Sequence, residues 1–241
     1  MTARGNERKK IFFTKHEYEK FLEYVKEAKK KYGILVHAYV LMSNHYHLTI
    51  ETPNANLSKA MQYINGSYTT YVNTKKKRSG HLFQGRYKAI VVYVDNYLLE
   101  LSRYIHLNPV RAKMVEKPEE YQYSSYRSYV NNKEDEVLTK ELIMEMISTH
   151  KKESPKRYKA FVESAIGTET ESPLKEIYGG IILGKTGFIK QALARLKREQ
   201  LQEEEIANRR ALRTSYGLEE IKDIVSNHFQ ADSNQERLRE A

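Results

Sequence analysis

Apolar and polar positions change period several times within the first 110 residues. Between residues 17 and 32, Phe21, Leu22, Val25 and Ala28 recur at helical spacing. Lys29-Lys30-Lys31 and then Gly33 supply a C-terminal stop, so the pattern predicts a helix there. Residues 34–42 form a short apolar run with β-branched side chains, which reads as a buried strand. Ser43-Asn44 marks a tight turn, and residues 45–51 alternate as the second strand of a hairpin. Helical spacing returns over 55–73 through Leu57, Met61, Ile64 and Tyr68. Residues 86–94 read as a strand. Asp95-Asn96 then caps a helix that runs to about Asn108, where Pro109 interrupts it.

The order helix, strand, strand, helix, strand, helix is βαββαβ without its leading strand. Only Met1, Thr2 and Ala3 precede Arg4, so that first strand is expected to be mostly missing. The fold class predicted is α+β, a ferredoxin-like split βαββαβ sheet with a truncated first strand and an all-α C-terminal extension. The extension begins where the pattern changes, after Tyr129. Polar residues 130–135 read as a linker, and helical segments follow around 138–148, 155–166, 188–212 and 218–229. Two domains are therefore expected, 1–130 and 131–241.

Composition narrows the function. The chain has 241 residues, enough for a sizeable core, and no cysteine, which excludes a disulfide scaffold, a thiolate zinc site and a cysteine nucleophile. Apolar runs such as Ile181-Ile182-Leu183 are too short to span a bilayer, and the N-terminus lacks the apolar stretch of a signal peptide. A cytoplasmic protein without a membrane partner is expected.

The net charge of +10 is unevenly placed. Residues 1–130 carry 22 Lys/Arg against 11 Asp/Glu, whereas residues 131–241 carry 19 against 20. Sixteen of the 19 tyrosines also lie in the first part. Basic, tyrosine-rich surfaces suit single-stranded nucleic acid, since aromatic faces stack on unpaired bases while Lys and Arg follow phosphates. The plainer alternative is a solvated basic face.

Two constellations could carry chemistry. On a strand over 45–51, His45, His47 and Thr49 share one face while Tyr46, Leu48 and Ile50 share the other. The apolar set belongs in a core, and two imidazoles side by side suit one divalent metal ion; ordinary surface histidines are the competing reading. On the helix after residue 96, Tyr104 and Asn108 lie four apart on one face. An amide oxygen suits a hard cation such as Mg²⁺ or Mn²⁺. Tyrosine at such a position is also common packing. A two-histidine phosphoesterase would need two His-x-Thr/Ser motifs, and only His47-Leu48-Thr49 is present.

Together, a His-x-His strand followed by a helix with Tyr and an amide four residues on resembles the HUH endonucleases. The chain resembles in particular the REP-associated tyrosine transposases, relatives of the IS200-like single-tyrosine transposases. The resemblance rests on Arg4-Gly5-Asn6-Glu7-Arg8, on His37-Ala-Tyr-Val-Leu-Met-Ser-Asn-His-Tyr-His47 and on Gly80-His-Leu-Phe-Gln-Gly-Arg-Tyr-Lys88. It continues through Tyr97-Leu-Leu-Glu-Leu-Ser-Arg-Tyr-Ile-His-Leu-Asn-Pro-Val-Arg-Ala112 and Tyr123-Ser-Ser-Tyr126. It implies that His45 and His47 bind the metal with Asn108 as third ligand. Tyr104 would be the nucleophile that forms a 5′-phosphotyrosine link and frees a 3′-hydroxyl.

The implied partner is single-stranded or hairpin DNA, usually a repetitive extragenic palindrome, bound by a monomer or homodimer. Arg4, Lys75, Lys76, Lys77, Arg78, Gln84, Arg86, Lys88 and Arg111 are candidate DNA contacts, with Arg86 and Lys88 read as sharing one strand face. A missing first strand would favour the alternative of a domesticated, non-catalytic DNA-binding or regulatory protein. Residues 218–229 resemble the first helix of a helix-turn-helix, with too little chain after it for a full recognition helix.

Overall fold

Glu17 starts the first helix. Its side chain turns back to accept the backbone N–H groups of Phe13 and Thr14, at 2.6 and 3.0 Å, and so satisfies donors that the first helical turn leaves free. The helix, α1 (Lys15–Tyr32), ends at Gly33, whose φ of 66° is the left-handed conformation glycine adopts without strain. The computed structural model describes residues 1–94, 96–131, 133–168, 182–185 and 187–192.

A hairpin follows, β2 (Leu35–Met42) and β3 (His45–Glu51), joined through the Ser43-Asn44 turn. Helix α2 (Leu57–Lys75) comes next. Both helices lie on one face of the sheet. Phe21 and Val25 of α1, with Met61, Ile64 and Tyr68 of α2, enclose Tyr46 and Leu48, the apolar set of β3.

The leading strand is present and short, in keeping with the truncated first strand expected from the sequence. Thr2–Arg4 forms β1, antiparallel to β3 with Thr2 opposite His47 and Arg4 opposite His45. Its other edge is met by residues 82–88 in a broken ladder. Thr2 and Lys88 exchange two backbone bonds at 2.9 and 2.8 Å, and the Gln84 N–H reaches the Arg4 carbonyl at 2.9 Å. The order across the sheet is thus residues 83–88, β1, β3, β2, all antiparallel, the arrangement of a split βαββαβ sheet. Three residues suffice because both edges of the strand are paired.

The strand expected over 86–94 takes a different form. The chain bends at 84–86, bridges to β1 at Lys88, and pairs again only at β4 (Val91–Val92), against β5 (Ile182–Leu183) in parallel. Helix α3 (Asn96–Arg111) continues past Pro109. A proline so near the last turn removes one helical N–H, and the turn still closes, with the Ala112 N–H on the Asn108 carbonyl at 2.9 Å. The capping role expected of Asp95 lies outside the described residues.

Helix α3 covers the face of the sheet opposite α1 and α2, packing Leu101 and Ile105 on Ala38, Val40 and Met42 of β2 with Tyr121 beside them. The boundary expected near residue 130 is not a break in packing. Beyond α4 (Tyr126–Val130), Asp135 accepts the Tyr39 hydroxyl at 2.8 Å, and the Thr139 N–H bonds the Val36 carbonyl at 2.7 Å. Helices α5 (Glu141–Ile147) and α6 (Ser154–Glu163) add Ile143, Tyr158 and Val162 to the same core. The helices expected at 218–229 and over most of 188–212 lie outside the described residues. Among the described residues, no helix is long and apolar enough to cross a membrane.

Candidate active site

The sheet presents His45 and His47 to the side occupied by α3. Their imidazoles meet edge to face with centroids 5.2 Å apart. Asn44, the turn residue before His45, accepts a hydrogen bond from His45 Nδ1 through Oδ1 at 2.7 Å. That contact sets the tautomer, so Nε2 keeps its lone pair for an external ligand, as in metal sites where an outer partner orients the histidine. The sequence marks Asn44 as a turn residue, and its adjacency to the histidine pair is the signal for this second role.

Both imidazoles are held neutral. Burial, and then the Arg4 guanidinium, lowers His45 to about 4. Burial also dominates at His47, with His45, the terminal ammonium and Arg4 adding to it, and lowers it to about 3. A neutral imidazole is the metal-binding form.

Tyr104 extends from α3 across this face. Its ring stands edge-on to His47, centroids 6.0 Å apart at 86°. Its other neighbour is Arg111, whose guanidinium carbon lies 4.8 Å from the Tyr104 ring centre. Asn108 directs its Nδ2 to the Tyr104 carbonyl at 2.8 Å, which fixes the amide and leaves Oδ1 as its available acceptor. Among the described residues no three His, Cys, Asp or Glu side chains cluster as a metal site. Two neutral imidazoles lie side by side on the sheet, and Asn108 sits one turn from Tyr104 on the facing helix, where its amide oxygen would complete the donor set. That set fits a divalent cation that keeps part of its coordination shell for water or a phosphate.

The expected contacts separate into four groups. Arg4 and Lys88 are at the site, Arg4 as register partner of His45, and Lys88 opposite Thr2, itself opposite His47. Arg86 is elsewhere. The bend at 84–86 turns it toward α2, so Arg86 and Lys88 do not share a face. Lys75 and Lys76 are turned to the buried Glu17, at 3.8 and 3.2 Å, with Lys76 also over the Phe13 ring. They balance a carboxylate inside the fold. Lys77 is exposed with a positive φ of 48°, Arg78 bonds the His81 carbonyl at 3.3 Å, and Gln84 is exposed beside β1.

His106, two residues from Tyr104, faces away from the site into the core. It is fully buried between the Ser125 hydroxyl at 2.7 Å and the Tyr158 hydroxyl at 2.8 Å. Its place is structural.

Residues 1–108 match the family model of IS200-like transposases, a stretch that runs from β1 through Asn108. A solved structure of a REP-associated tyrosine transposase bound to a REP hairpin is 16% identical to this chain, with a TM-score of 0.46. The alignment covers 58% of this chain and 84% of that one. No curated protein matches the chain. The stretch similar to that family contains His45, His47, Tyr104 and Asn108.

Proposed function

We propose that the protein is a metal-dependent transposase that nicks and rejoins single-stranded or hairpin DNA through Tyr104. The observation that supports this most directly is the approach of Tyr104 to His47, because the two residues come from separate elements that the fold brings to one face. Tyr104 Oη forms a bond to phosphorus while the P–O3′ bond breaks. The hydroxyl proton passes to solvent and the departing 3′ oxygen gains one, leaving a 5′-phosphotyrosine and a 3′-hydroxyl. Since a phosphodiester is exchanged for a phosphodiester, a second strand's 3′-hydroxyl reverses the step and completes strand transfer.

Within the chain, Arg4 and Lys88 attract the phosphate, Arg111 holds the Tyr104 ring, and Asn44 orients His45. His45, His47 and Asn108 would hold Mg²⁺ or Mn²⁺. When bound, such an ion supplies Lewis-acid polarisation of a non-bridging phosphate oxygen. Hairpins of repetitive extragenic palindromes are the substrate we infer, acted on by a monomer or homodimer. The non-catalytic alternative drew its support from a missing first strand. That strand is formed and paired on both edges.

The test is incubation with a labelled hairpin oligonucleotide and Mn²⁺, followed by a denaturing gel. A covalent adduct with the wild type that disappears in Tyr104→Phe is expected. An equal adduct with Tyr104→Phe overturns the assignment of the nucleophile, and no adduct with either overturns the activity.

A further inference from the structure

On the other side of the sheet, a groove of about 960 Å³ runs between α2 and residues 81–87. It is away from the histidine face, since α2 and α3 cover opposite sides of the sheet. Among the described residues no carboxylate lines it, whereas Lys59, His81 and Arg86 do. Among the described residues neither Lys59 nor Arg86 is engaged in an ion pair. The groove therefore offers two uncommitted cations to an anion.

Two glycines in its wall have no explanation among the described residues. Gly66 lies in the middle of α2, where glycine costs about 0.5–1 kcal/mol relative to alanine. Neither it nor Gly85 has a positive φ, so no turn requires them. Among the described residues a Cβ built on either would meet nothing within 4 Å, so none of them excludes a side chain. What both positions keep clear is the space of the groove.

Asn65, next to Gly66, adds direction. Its Oδ1 accepts the Tyr46 hydroxyl at 2.7 Å, which fixes the amide and leaves its Nδ2 as a donor in a residue of the groove wall. A fixed amide is a group that reads the hydrogen-bonding edge of a nucleobase.

We infer that this groove binds an unpaired nucleotide of the DNA, the base over Gly66 against Asn65 and the flanking phosphates on Lys59 and Arg86. The inference rests on the DNA reading above but needs neither metal nor catalysis. The site faces the opposite side of the sheet from Tyr104, so one strand that used both would wrap the sheet edge at residues 83–88. Tyr46, fixed by Asn65, lies between His45 and His47 on β3, so the groove and the histidine pair share a strand.

The experiment uses the full chain carrying Tyr104→Phe, without metal, so that its result is independent of cleavage. Fluorescein-labelled, unstructured dA, dC and dT homopolymers are titrated by anisotropy, with a blunt duplex as control. Gly66→Leu is expected to weaken single-strand binding about tenfold while the melting temperature shows a folded protein. Arg86→Gln is expected to weaken it several-fold and to reduce the salt slope by about one ion. Photo-crosslinking with 4-thiothymidine in the dT strand is expected to label peptides within 58–71 or 81–88. Label confined to peptides around Tyr104 overturns the inference. So does unchanged binding by a folded Gly66→Leu, or a duplex bound as tightly as the single strands. Should Gly66→Leu fail to fold, Arg86→Gln and the crosslinked peptides decide.

Discussion

Tyr104 meets His47 edge to face although 57 residues of chain separate them, and the contact exists only because α3 packs on the histidine side of the sheet. Everything chemical about the site depends on that crossing.

Metal binding should be insensitive to pH over an unusual range. His45 and His47 titrate near 4 and 3, well under the ordinary imidazole value, so both stay ligand-competent in mild acid. Mn²⁺ affinity measured by electron paramagnetic resonance is expected to be flat from about pH 8 to pH 5 and to fall below that. A midpoint near 6.5 would show that the imidazoles are solvated and uncoupled. His47→Ala should abolish binding, and Asn44→Ala should weaken it about tenfold by releasing the His45 ring.

Acid should destabilise the fold through His106. Burial lowers it to about 3, while in the unfolded chain it titrates near the ordinary value of about 6.5. Between those values the unfolded state holds a proton that the folded state refuses. Stability therefore rises with pH across that window, is complete above it, and is lost as pH falls. The contribution has a slope of about 1.4 kcal/mol per pH unit for one proton. Urea unfolding of the metal-free protein at several pH values is expected to show His106→Asn with a slope smaller by about one proton. An unchanged slope would mean that His106 is not buried neutral.

Glu17→Ala should cost about 2 kcal/mol or more, because the substitution strips the Phe13 and Thr14 N–H groups of their acceptor and leaves Lys75 and Lys76 without a counter-charge. Chemical denaturation measures this directly. If Lys75 and Lys76 were instead phosphate contacts, DNA binding would change with little effect on stability.

Gly66→Ala should raise stability by about 0.5–1 kcal/mol, since the helix gains propensity and the added Cβ meets no neighbour. A melting temperature at or below that of the wild type would mean that α2 is distorted at this position.

The elements around the site were legible where one period ran long enough. The alternation of His45 through Glu51 placed the histidines on one face and Tyr46 and Leu48 in the core, as found. Helices α1 and α2 followed from their apolar spacing. What could not be read were features set by partners distant in sequence. Thr2–Arg4 is too short to carry a pattern, and it is a strand because β3 and residue 88 both pair with it. Lys75 and Lys76 look like any basic run until Glu17 is seen beneath them. The stretch 130–135 reads as a linker by polarity, yet Asp135 is held by Tyr39. Arg86 and Lys88 alternate on paper, and the bend at 84–86 turns them apart.

The three-residue strand at the N-terminus also has a consequence for when the site exists. Its first partner, β3, is made some forty residues later, and its second, Lys88, later still. During synthesis Thr2–Arg4 must stay unpaired until the chain has returned twice. Pairings this far apart in sequence form slowly, because loop closure precedes any gain. A nascent chain that ends before residue 88 therefore holds both histidines but no closed sheet, and the face shared by His45, His47 and Tyr104 assembles only after Tyr104 has followed.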